Sequence, residues 1–138
     1  MNKRHFLASS ITAAIAAAGV SKNAHAQRET RAMVKLVFLM PRRPDMSFDE
    51  FSRYWRETHA PIGEAMPGVR RYVQNHSRVA LDGSSLTFDG FAEMWFDDME
   101  SMGLALASPE SQAALADSEN FLDVERIQTF VVEELTVV

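Results

Sequence analysis

The sequence predicts an α+β domain of order β-α-β-β-α-β, with four strands in one antiparallel sheet and the helices on one face. Three observations predict it. Four β-rich apolar runs begin near Met33, Val69, Phe88 and Val124, and two stretches with helical spacing and cap signals separate them. One helical stretch lies between the first two runs and the other between the last two, which is a split βαβ order. The chain has 138 residues and is 46% hydrophobic and 24% charged, enough for one core and too short for two.

The amino terminus reads as an export signal. Lys3 and Arg4 form a positive start, Phe6 to Val20 is an alanine-rich run without charge, and Ala24-His25-Ala26 is an A-x-A cleavage site. The run is too short and too weakly apolar for a stable membrane insertion. Lys3-Arg4-His5-Phe6-Leu7 is similar to a twin-arginine signal with Lys for the first Arg, and the Sec route stays open. The expectation is a cleaved segment 1–26 and a single domain 27–138, periplasmic or secreted. The removed segment carries Lys3, Arg4 and Lys22 and no acid, so the net charge moves from −5 to −8. Such a surface repels nucleic acid and anionic membranes. The absence of cysteine excludes disulfides, thiolate metal sites and a cysteine nucleophile.

Within the domain, Met33-Val-Lys-Leu-Val-Phe-Leu-Met40 is the first strand, and its unbroken apolar run points to burial on both faces. Pro41 and Pro44 mark a loop. Ser47 and Glu50 have capping-box spacing, and Phe48, Phe51 and Trp55 recur at helical spacing, with His59 four residues beyond Trp55 on the same face. Pro61 lacks an N–H and pushes Ala60 from helical angles, so the first helix should end or kink at His59, with one further turn open between Pro61 and Met66. Pro67-Gly68 is a turn. The second strand spans Val69 to Val79, with Tyr72, Gln74 and His76 on one face. The third spans Phe88 to Phe96, with Gly90, Ala92, Met94 and Phe96 on one face. Asp97 and Asp98 suit a helix start, and Ser108-Pro109 caps a short second helix ending near Ala116. Asp117 to Leu122 reads as a capped turn that closes over a pocket. Val124 to Val138 is the fourth strand. The result is the ferredoxin-like arrangement. Large apolar residues on both strand faces, Val37, Phe91 and Trp95 among them, point to a homodimer that packs the two bare sheets together.

His59 is the most chemically loaded position. Two roles are open: a buried imidazole that fixes a helix end, and a general acid/base facing a pocket, for which its ordinary pKa of ~6.5 is suited. After cleavage only His59 and His76 remain as imidazoles, and no metal-ligand spacing accompanies them, so no metal is expected.

The domain resembles the EthD family of the dimeric α+β barrel superfamily. The residues that carry this are Phe51-x-x-Tyr54-Trp55-x-x-x-His59-Ala60-Pro61, then Met66-Pro67-Gly68-Val69-x-x-Tyr72, then Gly90-Phe91-Ala92-Glu93-Met94-Trp95-Phe96. It is similar, more distantly, to methylmuconolactone isomerases. Their helix-end histidine, implicated in acid/base chemistry, falls on His59, and their strand cysteine falls on Met94, which cannot transfer a proton. The resemblance implies a cavity between helices and sheet with His59 pointing in. Gly90, Ala92 and Met94 would form its floor, Trp55 and Tyr72 its walls, and His76 a second polar group; close packing at Gly90 and Ala92, core packing for Trp55, and a strand face meeting solvent or the partner for Tyr72 and His76 are the alternatives. Asn120 would either hydrogen-bond a ligand or serve as a turn residue, and Glu93 would either orient a group or sit in an ion pair. The expected activity is cofactor-free isomerisation, dehydration or lysis of a small apolar, aromatic or lactone-like molecule, with His59 catalytic. Two alternatives stand beside it: an oxidative enzyme, cofactor-free or with haem on His59, and a non-catalytic ligand-binding dimer.

Overall fold

In the computed structural model, residues 33–138 are described. The export signal read at residues 1–26 lies outside the described residues. Strand β1 (Val34–Met40) leads to helix α1 (Phe48–Tyr54), a π-helical turn (Trp55–His59) and helix α2 (Ala60–Glu64). Strands β2 (Arg71–His76) and β3 (Gly90–Phe96) follow, then helices α3 (Met99–Leu106) and α4 (Pro109–Ser118), a 3-10 turn at Val124–Arg126, and strand β4 (Gln128–Val132). The sheet order is β2-β3-β1-β4, and every neighbouring pair is antiparallel. This is the ferredoxin-like order that the sequence predicts.

The caps form as their sequences require. Ser47 and Glu50 complete a capping box at 3.2 and 2.8 Å. Asp98 and Ser108 cap α3 and α4 by accepting from the N–H groups of Ser101 and Ser111. These bonds satisfy amide donors that a helix start leaves open.

Of the outcomes Pro61 leaves open, the helix does not end at His59: it is distorted there, and the further turn between Pro61 and Met66 forms. It widens through Trp55–His59 and continues to Glu64. In a regular helix the Pro61 ring would press on the Glu57 carbonyl. A π turn bonds residues five apart, and here the Ala60 N–H reaches back to the Trp55 carbonyl. The proline is thereby absorbed rather than obeyed. Strands β2 and β4 are also shorter than predicted. Gly68, at a φ of +79°, makes the turn into β2, and Val124–Arg126 is a 3-10 turn.

Two hydrophobic clusters fill the space between helices and sheet. One joins Leu36, Met66, Met94, Phe96, Met102 and Ala105. The other joins Met40, Phe51, Trp55, Ala92, Phe121 and Leu122. Gly90 is required beneath the second: a Cβ there would lie 2.6 Å from the Trp55 ring and 2.6 Å from the Asn75 carbonyl oxygen. The indole fills the hollow that Gly90 leaves, so Gly90 packs against Trp55 and does not floor a cavity.

The register places Lys35, Val37, Phe91, Glu93, Trp95 and Phe130 on the sheet face away from the helices. Val37 and Trp95 are buried there, while Phe91 and Phe130 stay 37% and 42% exposed. Lys35 and Arg71 flank the Trp95 ring at 5.0 and 4.7 Å. Glu93 pairs with Lys35 at 2.9 Å and accepts from Asn75.

Candidate active site

The two hydrophobic clusters do not close completely on one another. Between them lies a cavity of about 210 Å³, walled by Met66 and Met94 from one and by Met40, Ala92 and Leu122 from the other. That is below the ~300–1,000 Å³ of drug-sized ligand pockets, and suits a molecule of about one ring. A haem does not fit a space of this size. Among the described residues no Asp, Glu, Lys or Arg side chain lines it. Its polar lining groups are His59, Tyr72, Ser111, Ser118 and Thr129.

His59 enters from the π turn and is 7% exposed. Its Nδ1 bonds Oδ2 of Asp117 at 2.8 Å. A carboxylate can only accept, so Nδ1 carries the hydrogen and Nε2 of the neutral ring holds the lone pair. Among the described residues Nε2 has no hydrogen-bond partner. Phe121 packs on the imidazole with ring centroids 4.7 Å apart. The ring is thus held between a tilted aromatic and an acid on its Nδ1.

Asp117 sits in the last turn of α4, which runs two residues beyond its predicted end. Its Oδ1 accepts from the Tyr54 hydroxyl at 2.7 Å and from the Asn120 amide at 3.1 Å. Burial pushes its carboxyl up, but the bonds from Tyr54, His59 and Asn120 outweigh burial and hold it below the ordinary carboxylate value. Asp117 is therefore an anion at neutral pH, and it orients and charges the back of His59. The segment after it is stapled to the loop following β1: Arg43 N–H donates to the Phe121 carbonyl and Asp123 N–H to the Pro41 carbonyl, both at 3.0 Å.

Tyr72 enters from β2 on the opposite wall, and its hydrogen-bond roles follow from a chain of forced assignments. The Trp55 carbonyl accepts from the Gln74 side chain at 3.0 Å, which fixes the NH₂ end of that amide. Gln74 Oε1 therefore faces His76 Nε2 at 3.1 Å, and Nε2 must donate. His76 Nδ1 then accepts from the Ser52 hydroxyl at 2.7 Å. The same Gln74 NH₂ donates to the Tyr72 hydroxyl at 3.2 Å, and Trp55 Nε1 donates to it at 3.1 Å. Both acceptor sites of the Tyr72 oxygen are filled. Its own hydrogen has no acceptor among the described residues and is available to the cavity. Burial pushes the Tyr72 pKa up, partly opposed by the bonds from Gln74 and Trp55, so the phenol stays protonated at neutral pH.

The residues singled out from sequence divide into three groups. His59, Tyr72 and Met94 line the cavity, as does Ala92. Trp55 and His76 stand behind Tyr72: the indole is wholly buried, and the His76 ring packs on it at 4.6 Å. Burial, with the nearby charges of Arg56 and Arg78, holds the His76 pKa below its ordinary value and keeps the ring neutral. Asn120 is exposed, and its amide serves the Asp117 carboxylate from outside the cavity. Sequence reasoning missed Asp117, Tyr54 and Phe121 as site residues. Asp117 had been absorbed into a turn, and the signal available was an acid one helical turn before Phe121 in a segment already read as covering a pocket. Among the described residues no group of three His, Cys, Asp or Glu side chains is placed to hold a metal.

The EthD domain model matches residues 43–125, well over half of the chain. An uncharacterised 11.0 kDa protein of the thcB-thcC intergenic region of Rhodococcus erythropolis is 33% identical over 88 residues, covering 64% of this chain and 81% of that one. The crystal structure of an ethyl tert-butyl ether d (ethd) family protein from Bacillus halodurans is similar at 29% identity and a TM-score of 0.65, covering 75% of this chain and all of the other. A dimeric protein of unknown function and ferredoxin-like fold from Bacteroides fragilis is similar at 18% identity and a TM-score of 0.57, covering 74% of this chain and 96% of that one. With cap, fold and matched segment in agreement, the chain belongs to the EthD domain family.

Proposed function

We propose that the protein is a cofactor-free acid/base enzyme acting on a neutral carbonyl compound of about one ring, such as an aromatic ketone or an unsaturated lactone. The observation that carries this reading is one apolar cavity faced by a base and a committed donor. His59 Nε2 offers a lone pair backed by an anionic carboxylate, and the Tyr72 hydroxyl offers a hydrogen it cannot spend elsewhere. His59 would take a proton from the carbon next to the carbonyl while Tyr72 bonds the oxygen that gains charge. The proton returned by His59 at the same carbon gives exchange, and at a conjugated position gives an isomer. A charged substrate is disfavoured, because the lining carries no ionic partner to repay its desolvation.

The test is deuterium uptake from D₂O into a panel of one-ring ketones and unsaturated lactones, followed by NMR. Catalysed uptake at the acidic C–H is expected. Tyr72→Phe should lower kcat by about 10²–10³ while KM changes little. Uptake no faster than in buffer across the panel, or a Tyr72→Phe enzyme as fast as the parent, would count against the reading.

The same reading makes the active form an exported homodimer. The half-exposed Phe91 and Phe130 on the bare sheet face support it, as does the dimeric state named for the Bacteroides fragilis protein. Phe91→Glu is expected to give monomers in sedimentation, where the parent sediments as a dimer. A parent that sediments as a monomer would remove the dimer.

A further inference from the structure

Of the eight described arginines, four pair with acids and two lie on aromatic rings. Arg42 pairs with Asp89 at 3.1 Å, Arg43 with Asp45 at 2.7 Å, Arg70 with Asp97 at 2.6 Å and Arg126 with Asp123 at 3.9 Å, while Arg71 lies on the Trp95 ring. Among the described residues Arg53, Arg56 and Arg78 have no carboxylate within ion-pairing distance; Arg78 lies over the Phe48 ring at 5.9 Å, and all three line one surface groove of about 430 Å³. Arg53 also borders a neighbouring groove lined by Asp45, Glu50 and Glu57, whereas Arg56 and Arg78 line this groove alone. Two come from consecutive helical turns and the third from the residues after β2, so two packed elements bring them to one place. The groove also holds Ser52, whose side chain is buried, the Phe48 ring and a single acid, Asp49. The groove's own lining thus carries more positive than negative charge on a chain whose formal charge is −5. An acidic surround disfavours a long polyanion and leaves a small anion as the fitting occupant.

We propose that this groove binds a small tetrahedral oxyanion, a phosphate or sulfate group, through Arg53, Arg56, Arg78 and the Ser52 hydroxyl. Planar guanidinium forks match such oxygens. The site reports through Ser52. At present the Ser52 hydroxyl donates to His76 Nδ1, and an anion on that hydroxyl draws the hydrogen outward. Nδ1 then gains a proton of its own, and the cationic ring donates to Ser52 Oγ and Gln74 Oε1, both of which can accept. The charged groups beside His76 are Arg56 and Arg78, and the anion neutralises both. Anion binding and His76 protonation therefore favour each other.

The experiment titrates the full chain with inorganic phosphate, with sulfate and with glycerol 3-phosphate, each against chloride at equal ionic strength. Calorimetry reads the affinity, and the His76 ring resonances, assigned with His76→Asn, read the site. Saturable binding is expected with at least one of the three, with a His76 shift that saturates at the same constant. Binding of the ester alone would identify a phosphate monoester as the occupant, and binding of the free ions would identify the inorganic anion. Arg56→Ala and Arg78→Ala should each weaken binding tenfold or more while leaving the melting temperature in place, since both side chains are on the surface. A response equal to that of chloride, or one unchanged by both substitutions, overturns the proposal. Neither result bears on the cavity chemistry, which is read by deuterium uptake.

Discussion

His59→Ala is expected to lower catalysed deuterium uptake by about 10²–10⁴-fold with the fold retained. The loss should fall on kcat, because the imidazole contributes little contact area beside the methionine and leucine walls. Free imidazole added to the variant should restore part of the rate, since the substitution vacates a space of that shape against Phe121. Parent-like uptake in the folded variant would place the proton transfer elsewhere. The same substitution leaves the half-buried Asp117 carboxylate with Tyr54 and Asn120 as its remaining donors, so a moderate loss of stability accompanies the loss of rate. Circular dichroism separates the two effects.

Asp117→Asn is expected to act on rate and stability together. An amide can present its NH₂ to His59 Nδ1, which turns the neutral ring to the tautomer with its hydrogen on Nε2. The lone pair then faces the wrong way, and kcat should fall by about 10²–10⁴. The stability loss should be about 2–3 kcal/mol, because one carboxylate oxygen that accepted a charge-assisted bond becomes a donor. The pH dependence has a definite sign. The folded pKa of Asp117 is lowered, so its contribution is full above the unfolded carboxylate value near ~3.9 and fades as pH falls through the lower folded value. Melting curves of parent and variant should therefore separate at pH 6 and approach each other below about pH 4. A variant that keeps both its rate and its melting point would show that the acid neither orients the imidazole nor holds the helix end.

Alternation within the strands and the cap signals made the element order legible from sequence. The face shared by Gly90, Ala92, Met94 and Phe96 is the buried face, and Tyr72, Gln74 and His76 do stand together. These are local patterns with short repeats, and they survive folding. Pro61 was legible as a perturbation at His59 with a further turn open beyond it, but the π form was not, because a π turn depends on the Ala60–Trp55 bond forming inside a packed helix. Asp117 was not legible as a partner, since it meets His59 across 58 residues of chain and nothing in its own neighbourhood announces the contact. Trp55 belongs to the wall only indirectly. Its placement follows from the missing side chain at Gly90, a complementarity between two elements that periodicity does not carry.

A sheet has two sides, and this one gives them to different tasks. The chamber lies wholly on the helix side, and no residue of the bare side enters its lining. Two copies joined through their bare sides would carry their chambers back to back, each complete in itself and opening away from the seam. Catalysis in one half would then need nothing from the other, saturation would be hyperbolic, and the seam would be free to change in evolution without disturbing the chemistry.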